Sequence, residues 1–184
     1  MAVPTSPLPV CRFAGLLAGT EDQLAAARAE LAQWYGRIDD VSDILPFSFT
    51  PYYDEQMGKN LLRQWVRFEP LFSPEHLPKC KLETNMAETL LARQFKTPGI
   101  ARPINIDPGY IHRYKIILAT TKDHSHRVYM REGIYAEVTL HWHQNTWTPW
   151  PWTYADYQTP QAGAFFMRAR TAYLDQLQRI TAGK

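Results

Sequence analysis

Glu137, Thr139, His141 and His143 occupy alternate positions of one segment and carry the densest chemistry in the chain. On an extended strand such residues share a face and stand about 7 Å apart, because each residue rises about 3.3 Å. A carboxylate and two imidazoles in that row suit a divalent metal ion, with Asp107 completing the shell, or a proton shuttle through Asp107, Glu137 and His141. The same row also fits the wet face of an antiparallel sheet that holds no ligand. Asp107 itself precedes Pro108-Gly109 and is expected at a turn, either as a metal-binding or basic carboxylate or as a plain turn cap.

Other groups suit an anionic ligand. Lys122 and Arg127 bracket Asp123-His124-Ser125-His126, a crowded set of donors for a phosphate or carboxylate that equally fits a charged hairpin tip. Lys81, Asn85 and Glu88 fall on one helical stripe, facing either a cavity or solvent. Tyr52, Tyr53, Asp54 and Glu55 offer aromatic stacking beside carboxylates, so Tyr53 and Glu55 read as ligand contacts of a lid or as loop anchors. Thr139 adds a hydroxyl. Between Trp142 and Tyr157 stand four tryptophans and two tyrosines, Trp152 among them. They suit stacking on a sugar or base, or a rigid cover over a sheet edge. Arg170, between Phe166 and Tyr173, reads as a paired structural arginine or an anion anchor.

The elements that must position these groups follow from periodicity. Arg12–Ala18 is a short apolar run expected to form a central strand. Thr20 and Gln23 make a capping box for a helix whose inner face carries Leu24, Ala27, Leu31 and Trp34, with Gly36 as its stop. Ile38–Phe49 is extended, Thr50–Asn60 a long loop, and Arg63–Glu69 a strand. Pro78 breaks a first turn at Ser73-Pro74, and the second helix runs from Lys79 to about Phe95, burying Cys80, Thr84, Ala87 and Leu91. Arg102–Ile106 is the next strand, closed by the turn at Asp107-Pro108-Gly109. Tyr114–Thr121 and Arg127–Met130 are further strands. Arg131-Glu132-Gly133 turns into the strand whose apolar face carries Ile134, Ala136, Val138, Leu140 and Trp142. A last helix over Gln161–Ile180 buries Phe166, Tyr173, Leu177 and Ile180.

The order is strand, helix, strand, strand, helix, strand, followed by a hairpin and a helix. It predicts an α+β fold: an antiparallel-rich sheet with a ferredoxin-like βαββαβ first half, an added β-hairpin and a C-terminal helix. Residues 1–10 read as a flexible lead-in and 11–184 as a single domain.

The chain has 184 residues, 45% hydrophobic and 21% charged, enough to bury a core without disulfides or structural metal. Lys plus Arg total 20 against 18 Asp plus Glu, a near balance that argues against a dedicated nucleic-acid surface. No apolar run is long enough to span a membrane, and the first residues lack the pattern of an export signal. Cys11 and Cys80 lie in no metal-binding spacing, so the expected setting is reduced and cytoplasmic. The chain lacks GxxxxGK[ST], GxGxxG and GxSxG, which removes P-loop, Rossmann and serine-hydrolase readings.

Six strings carry a family resemblance: PFSFTPYYDEQMG (46–58), KLETN (81–85), NIDPGYI (105–111), LATTKDHSHRVY (118–129), GIYAEVTL (133–140) and WTYADY (152–157). Together they resemble the bacterial family known as domain of unknown function DUF4416, over about Phe13 to Tyr173. The resemblance implies no established activity and supplies no catalytic residues. Its members often bear a GTP-binding label, but the phosphate loop and its lysine that such binding needs are missing here.

The residues themselves lead to two expectations. One is an enzyme acting on a phosphorylated or nucleotide-like small molecule through a carboxylate and histidine site, with a divalent metal as the cofactor to consider. Asp107, Glu137 and His141 do the chemistry there, while Tyr53, Glu55, Lys81, Asn85, Lys122, Arg127, Thr139 and Trp152 hold the ligand. The other is a non-catalytic module that recognises a ligand or protein through the aromatic surface.

Overall fold

Alternating apolar residues draw nine segments into one antiparallel sheet, and the helices between them supply its two covers. The computed structural model describes residues 2–182. Strand β1 spans Val10–Ala18, helix α1 Glu21–Tyr35, and strands β2 and β3 Ile38–Val41 and Leu45–Phe47. A short helix α2 (Asp54–Met57) precedes β4 (Leu61–Phe72) and helix α3 (Leu77–Gln94). There follow β5 (Ile104–His112), β6 (Lys115–Thr120), β7 (Val128–Arg131), β8 (Ile134–His143), β9 (Thr146–Pro149) and α4 (Pro160–Ala182). Met1, which opens the expected lead-in, and residues 183 and 184, which close the expected domain, lie outside the described residues.

The spatial order is β2-β4-β1-β5-β6-β8-β7, with β3 on β4 and β9 on β8. The mixed α+β class with a C-terminal helix therefore stands, and the order β2-β4-β1-β5 is compatible with a ferredoxin-like first half. Leu24, Ala27 and Leu31 of α1 and Cys80, Ala87 and Leu91 of α3 pack on one face against Ala14, Leu16, Val66, Phe68 and Ile106. On the other face α4 lays Phe165, Phe166, Ala169, Tyr173 and Leu177 against Phe13, Trp65, Ile116, Leu118 and Leu140. Each such large apolar side chain contributes roughly 1.5–3 kcal/mol when fully buried. The capping box forms as expected: Thr20 accepts from the Gln23 amide while the Gln23 side chain accepts from the Thr20 amide.

Several expectations are corrected. Asp107-Pro108-Gly109 is no turn; it lies inside β5, paired with Gly15, Ala14 and Phe13 of β1. The β5–β6 ladder runs only from Gly109↔Leu118 to His112↔Lys115. Pro108, which has no N–H to give, is the first residue past its end. Gly109 is required there by close approach, because a Cβ would stand 2.4 Å from the Ile117 carbonyl oxygen and 2.6 Å from the Phe13 ring. Pro78 sits in the first turn of α3, where its missing N–H costs nothing, so the helix starts at Leu77. The segment 50–60 contains a 3₁₀ turn (Pro51–Tyr53) and α2. Ile180 is exposed, and Phe165 and Ala169 take its place in the buried stripe of α4.

The most consequential correction is on β8. Ile117 pairs with Val138 but Ile116 with Leu140, so Thr139 is an extra residue opposite a single step of β6. Such a bulge reverses which parity faces which side. Glu137 is the partner of Leu118, on the α4 side of the sheet, and Leu140 is on that side too. His141 and His143 are therefore turned to the opposite side from Glu137.

Candidate functional site

The sheet opens where β5 and β6 part. Below Gly109 the residues Asn105 and Asp107 of β5 remain on β1, while Ala119 and Thr120 of β6 stay with β8. Ile106 consequently has no neighbouring strand on its outer side. Helix α3 substitutes for it: the Ile106 amide donates to Glu88 Oε1 at 2.7 Å, and Lys81 Nζ donates to the Ile106 carbonyl oxygen at 2.9 Å. Two side chains seven residues apart, on one helical face, thus complete the broken ladder. Lys81 is only 5% exposed as a result.

A cavity of about 450 Å³ occupies this opening. Its floor and inner wall carry Lys81, Asn85, Arg102, Asn105, Asp107 and Arg63, its outer wall Lys122, Arg127 and Glu137. Aromatic side chains close its sides: Phe47, Phe49, Tyr52 and Tyr53 from the 47–53 segment, and Tyr154 and Tyr157 from the turn before α4.

Polar contacts run continuously along the floor. Arg102 donates to Glu88 at 2.9 Å and to Asn105 at 2.5 Å, and Asn105 donates to Asp107 at 2.7 Å. Asp107 stands 3.7 Å from Lys81 Nζ and 3.9 Å from Arg63 Nη1, and Arg63 Nε lies 2.8 Å from Asp156 Oδ2. Burial raises the pKa of the Asp156 carboxyl despite the Arg63 charge, and burial likewise raises that of Glu88 against Lys81 and Arg102. Burial raises the Tyr53 phenol as well, helped by the charge of Asp107.

The outer wall is equally knitted. Arg127 donates to Glu137 at 2.8 Å, to the Tyr154 hydroxyl at 2.8 Å and to the Lys122 carbonyl at 3.1 Å. Burial opposes its charge, but Glu137 and Tyr154 more than offset this and its pKa is raised. Tyr154 is pushed up to about 12 by burial and by the Glu137 charge. Arg63, Lys81, Arg102 and Arg127 each have a carboxylate partner. Lys122 does not: among the described cations of the lining it alone lacks one. Its ammonium lies 4.0 Å from the Tyr52 ring centre and donates to the Tyr52 hydroxyl across the mouth.

Seven of the residues expected from sequence share this cavity: Asp107, Glu137, Tyr53, Lys81, Asn85, Lys122 and Arg127. Thr139 is buried beside it, its hydroxyl donating to Glu137 at 3.3 Å. Glu55 is an exposed residue of α2 outside the lining. His141 packs at a tilt against Trp150, ring centres 4.3 Å apart, with Nδ1 buried and unpartnered, and His143 is exposed beside it. The row Asp107, Glu137, His141, His143 therefore does not converge, and no group of three or more His, Cys, Asp or Glu among the described residues is arranged to hold an ion. Trp152 lies flat against Trp150 on one side and His126 on the other, and donates its indole N–H to the Val138 carbonyl at 3.1 Å. Thr153 donates to the Thr139 carbonyl at 2.5 Å. The aromatic segment thus covers the stretch of β8 edge left between β7 and β9. Arg170 is structural, donating to the Arg113 carbonyl and lying 3.7 Å over Trp142.

Sequence reasoning missed Arg63, Arg102 and Asp156, and reached Tyr154 and Tyr157 only as members of the aromatic segment. For Arg63 a signal existed: a guanidinium flanked two residues away on either side by Leu61 and Trp65, apolar residues of the same strand face, must find a buried acid. Its Nη1, the Trp65 indole nitrogen and the Tyr157 hydroxyl are buried without aligned hydrogen bonds, all within 3.4 Å of where a Gly15 Cβ would stand.

A family model described as Domain of unknown function (DUF4416) matches residues 9–173 of the chain. No curated protein and no solved structure matches it. No helix among the described residues is long and apolar enough to cross a membrane.

Proposed function

We propose that this chain, which belongs to the DUF4416 family, is an enzyme acting on a phosphorylated or nucleotide-like small molecule in the cleft between β5 and β6. One observation carries the reading: Lys122, the lining cation without a carboxylate partner, faces the mouth beside Tyr52. Every other lining cation is neutralised in place, so the uncompensated charge sits where a ligand enters. The aromatic sides suit a flat ring, and the Asn85 carboxamide, used in no described hydrogen bond, adds a donor and an acceptor. Asp107, held by Asn105 and partly open to the cavity, is the carboxylate placed to accept a substrate proton. Two free, buried thiols suit a reduced cytoplasmic setting.

The test is a thermal-shift and calorimetric panel of nucleotides and sugar phosphates, each beside its unphosphorylated counterpart. Phosphorylated members are expected to stabilise the protein and the others not, with Lys122→Ala weakening binding at least tenfold at unchanged stability. Equal responses from both sets refute the reading. A non-catalytic binding module is the second reading, favoured because Asp107, Glu137 and Asp156 all lie against cations. Phosphorus NMR of the bound ligand separates the two: turnover lost in Asp107→Asn with binding retained supports the enzyme, and binding without turnover the module.

A further inference from the structure

Outside the cavity, in the turn between β6 and β7, two imidazoles meet head to head. Nδ1 of His124 and Nδ1 of His126 are 3.1 Å apart. On the far edge of the second ring, Nε2 of His126 lies 3.2 Å from Glu137 Oε2. An ionised carboxylate only accepts, so a neutral His126 keeps its proton on Nε2 and turns a bare lone pair toward His124. Carboxylate support of this kind orients metal-ligating histidines and raises their basicity. The ring is also fixed from its face, stacked on Trp152 at 5.1 Å and 12°.

The spacing matches a shared ion. Two nitrogens each about 2.0–2.1 Å from one metal are roughly 2.9–3.4 Å apart for ligand angles between square and tetrahedral. Ser125 Oγ, 3.3 Å from His124 Nδ1, brings an oxygen to the same place. We propose that His124 and His126 chelate a divalent transition-metal ion of the zinc and nickel class, with the remaining positions open to water or an anionic ligand. Paired imidazoles select these ions over magnesium and calcium. The site is distinct from the row Asp107, Glu137, His141 and His143, since Glu137 acts here only as support for His126. It stands apart from the proposed function as well, because neither imidazole lines the cavity.

The experiment is calorimetric titration of the full chain with zinc, and with nickel followed by tryptophan fluorescence. One ion per chain is expected. His124→Ala and His126→Ala each weaken binding at least tenfold, His143→Ala leaves it unchanged, and Glu137→Gln weakens it by about 10–100-fold. His124 is exposed, so its replacement leaves the fold intact as judged by thermal unfolding. Nickel is expected to quench emission in the parent and less in Trp152→Phe. Absence of zinc heat in the parent, or zinc affinity indifferent to His124→Ala, overturns the proposal and leaves the two rings as a hydrogen-bonded pair.

Discussion

Arg63 and Asp156 lie 2.8 Å apart, each side chain only 4% exposed, and join β4 to the turn that precedes α4. Their charges are compensated almost wholly by one another, with Asp107 at 3.9 Å as a secondary partner. Removing one member of such a pair strands the other in low dielectric and costs about 3–5 kcal/mol. Asp156→Ala is expected at the lower end of that range because Asp107 remains. Urea unfolding of Arg63→Met, Asp156→Ala and the double variant checks it: the double must lose less than the two singles combined, and simple additivity removes the coupling.

Gly109 and Gly15 distinguish overpacking from blocking. A methyl at Gly109 meets a carbonyl oxygen at 2.4 Å, and backbone cannot step aside, so Gly109→Ala is expected to destabilise by about 3 kcal/mol. At Gly15 the nearest atom is the Tyr157 hydroxyl at 3.0 Å, a side-chain tip, and the expected loss is about 1 kcal/mol. Equal losses in chemical denaturation contradict the close approach described at the end of the β5–β6 ladder.

The α1 cap offers a smaller, local prediction. Thr20→Ala removes the acceptor of the Gln23 amide and is expected to cost about 1 kcal/mol, read from the denaturation midpoint at unchanged slope.

Alkaline pH should weaken the fold. Burial lifts Cys11 from 9.0 to about 12, and lifts Tyr173 from 10.0 to about 12. Between those limits the unfolded chain has released protons that the native chain still holds, so stability falls as pH rises. Unfolding midpoints measured from pH 8 to 11 are expected to fall progressively above about pH 9, and thiol reagents at pH 8 to label Cys11 only on unfolding. A flat profile contradicts the burial of these groups.

Local rules made much of this fold legible. Thr20 with Gln23, the face of α1 and the aromatic stripe of α4 follow from capping and periodicity, which depend on neighbours in sequence. Residue type marks the cavity in separate groups, Lys81 with Asn85, Lys122 with Arg127 and Asp107 with Glu137, and folding brings the three groups to one lining. What sequence hid was non-local. Thr139 looks like any alternating strand residue, and only the pairing with Ile116 and Ile117 shows that it shifts His141 to the other side. Pro108-Gly109 imitates a turn because the same two residues also mark the place where one strand loses its neighbour.

The bridging of Ile106 by Glu88 and Lys81 has a consequence for recognition. A gap between strands ordinarily invites collapse or a stray extended segment, since unpaired amides and carbonyls seek company. Here a carboxylate and an ammonium from the helix already occupy those groups, propping the hollow open in advance. A small molecule of the kind proposed for this cleft would therefore meet a preformed berth and sacrifice little conformational freedom of the host on arrival.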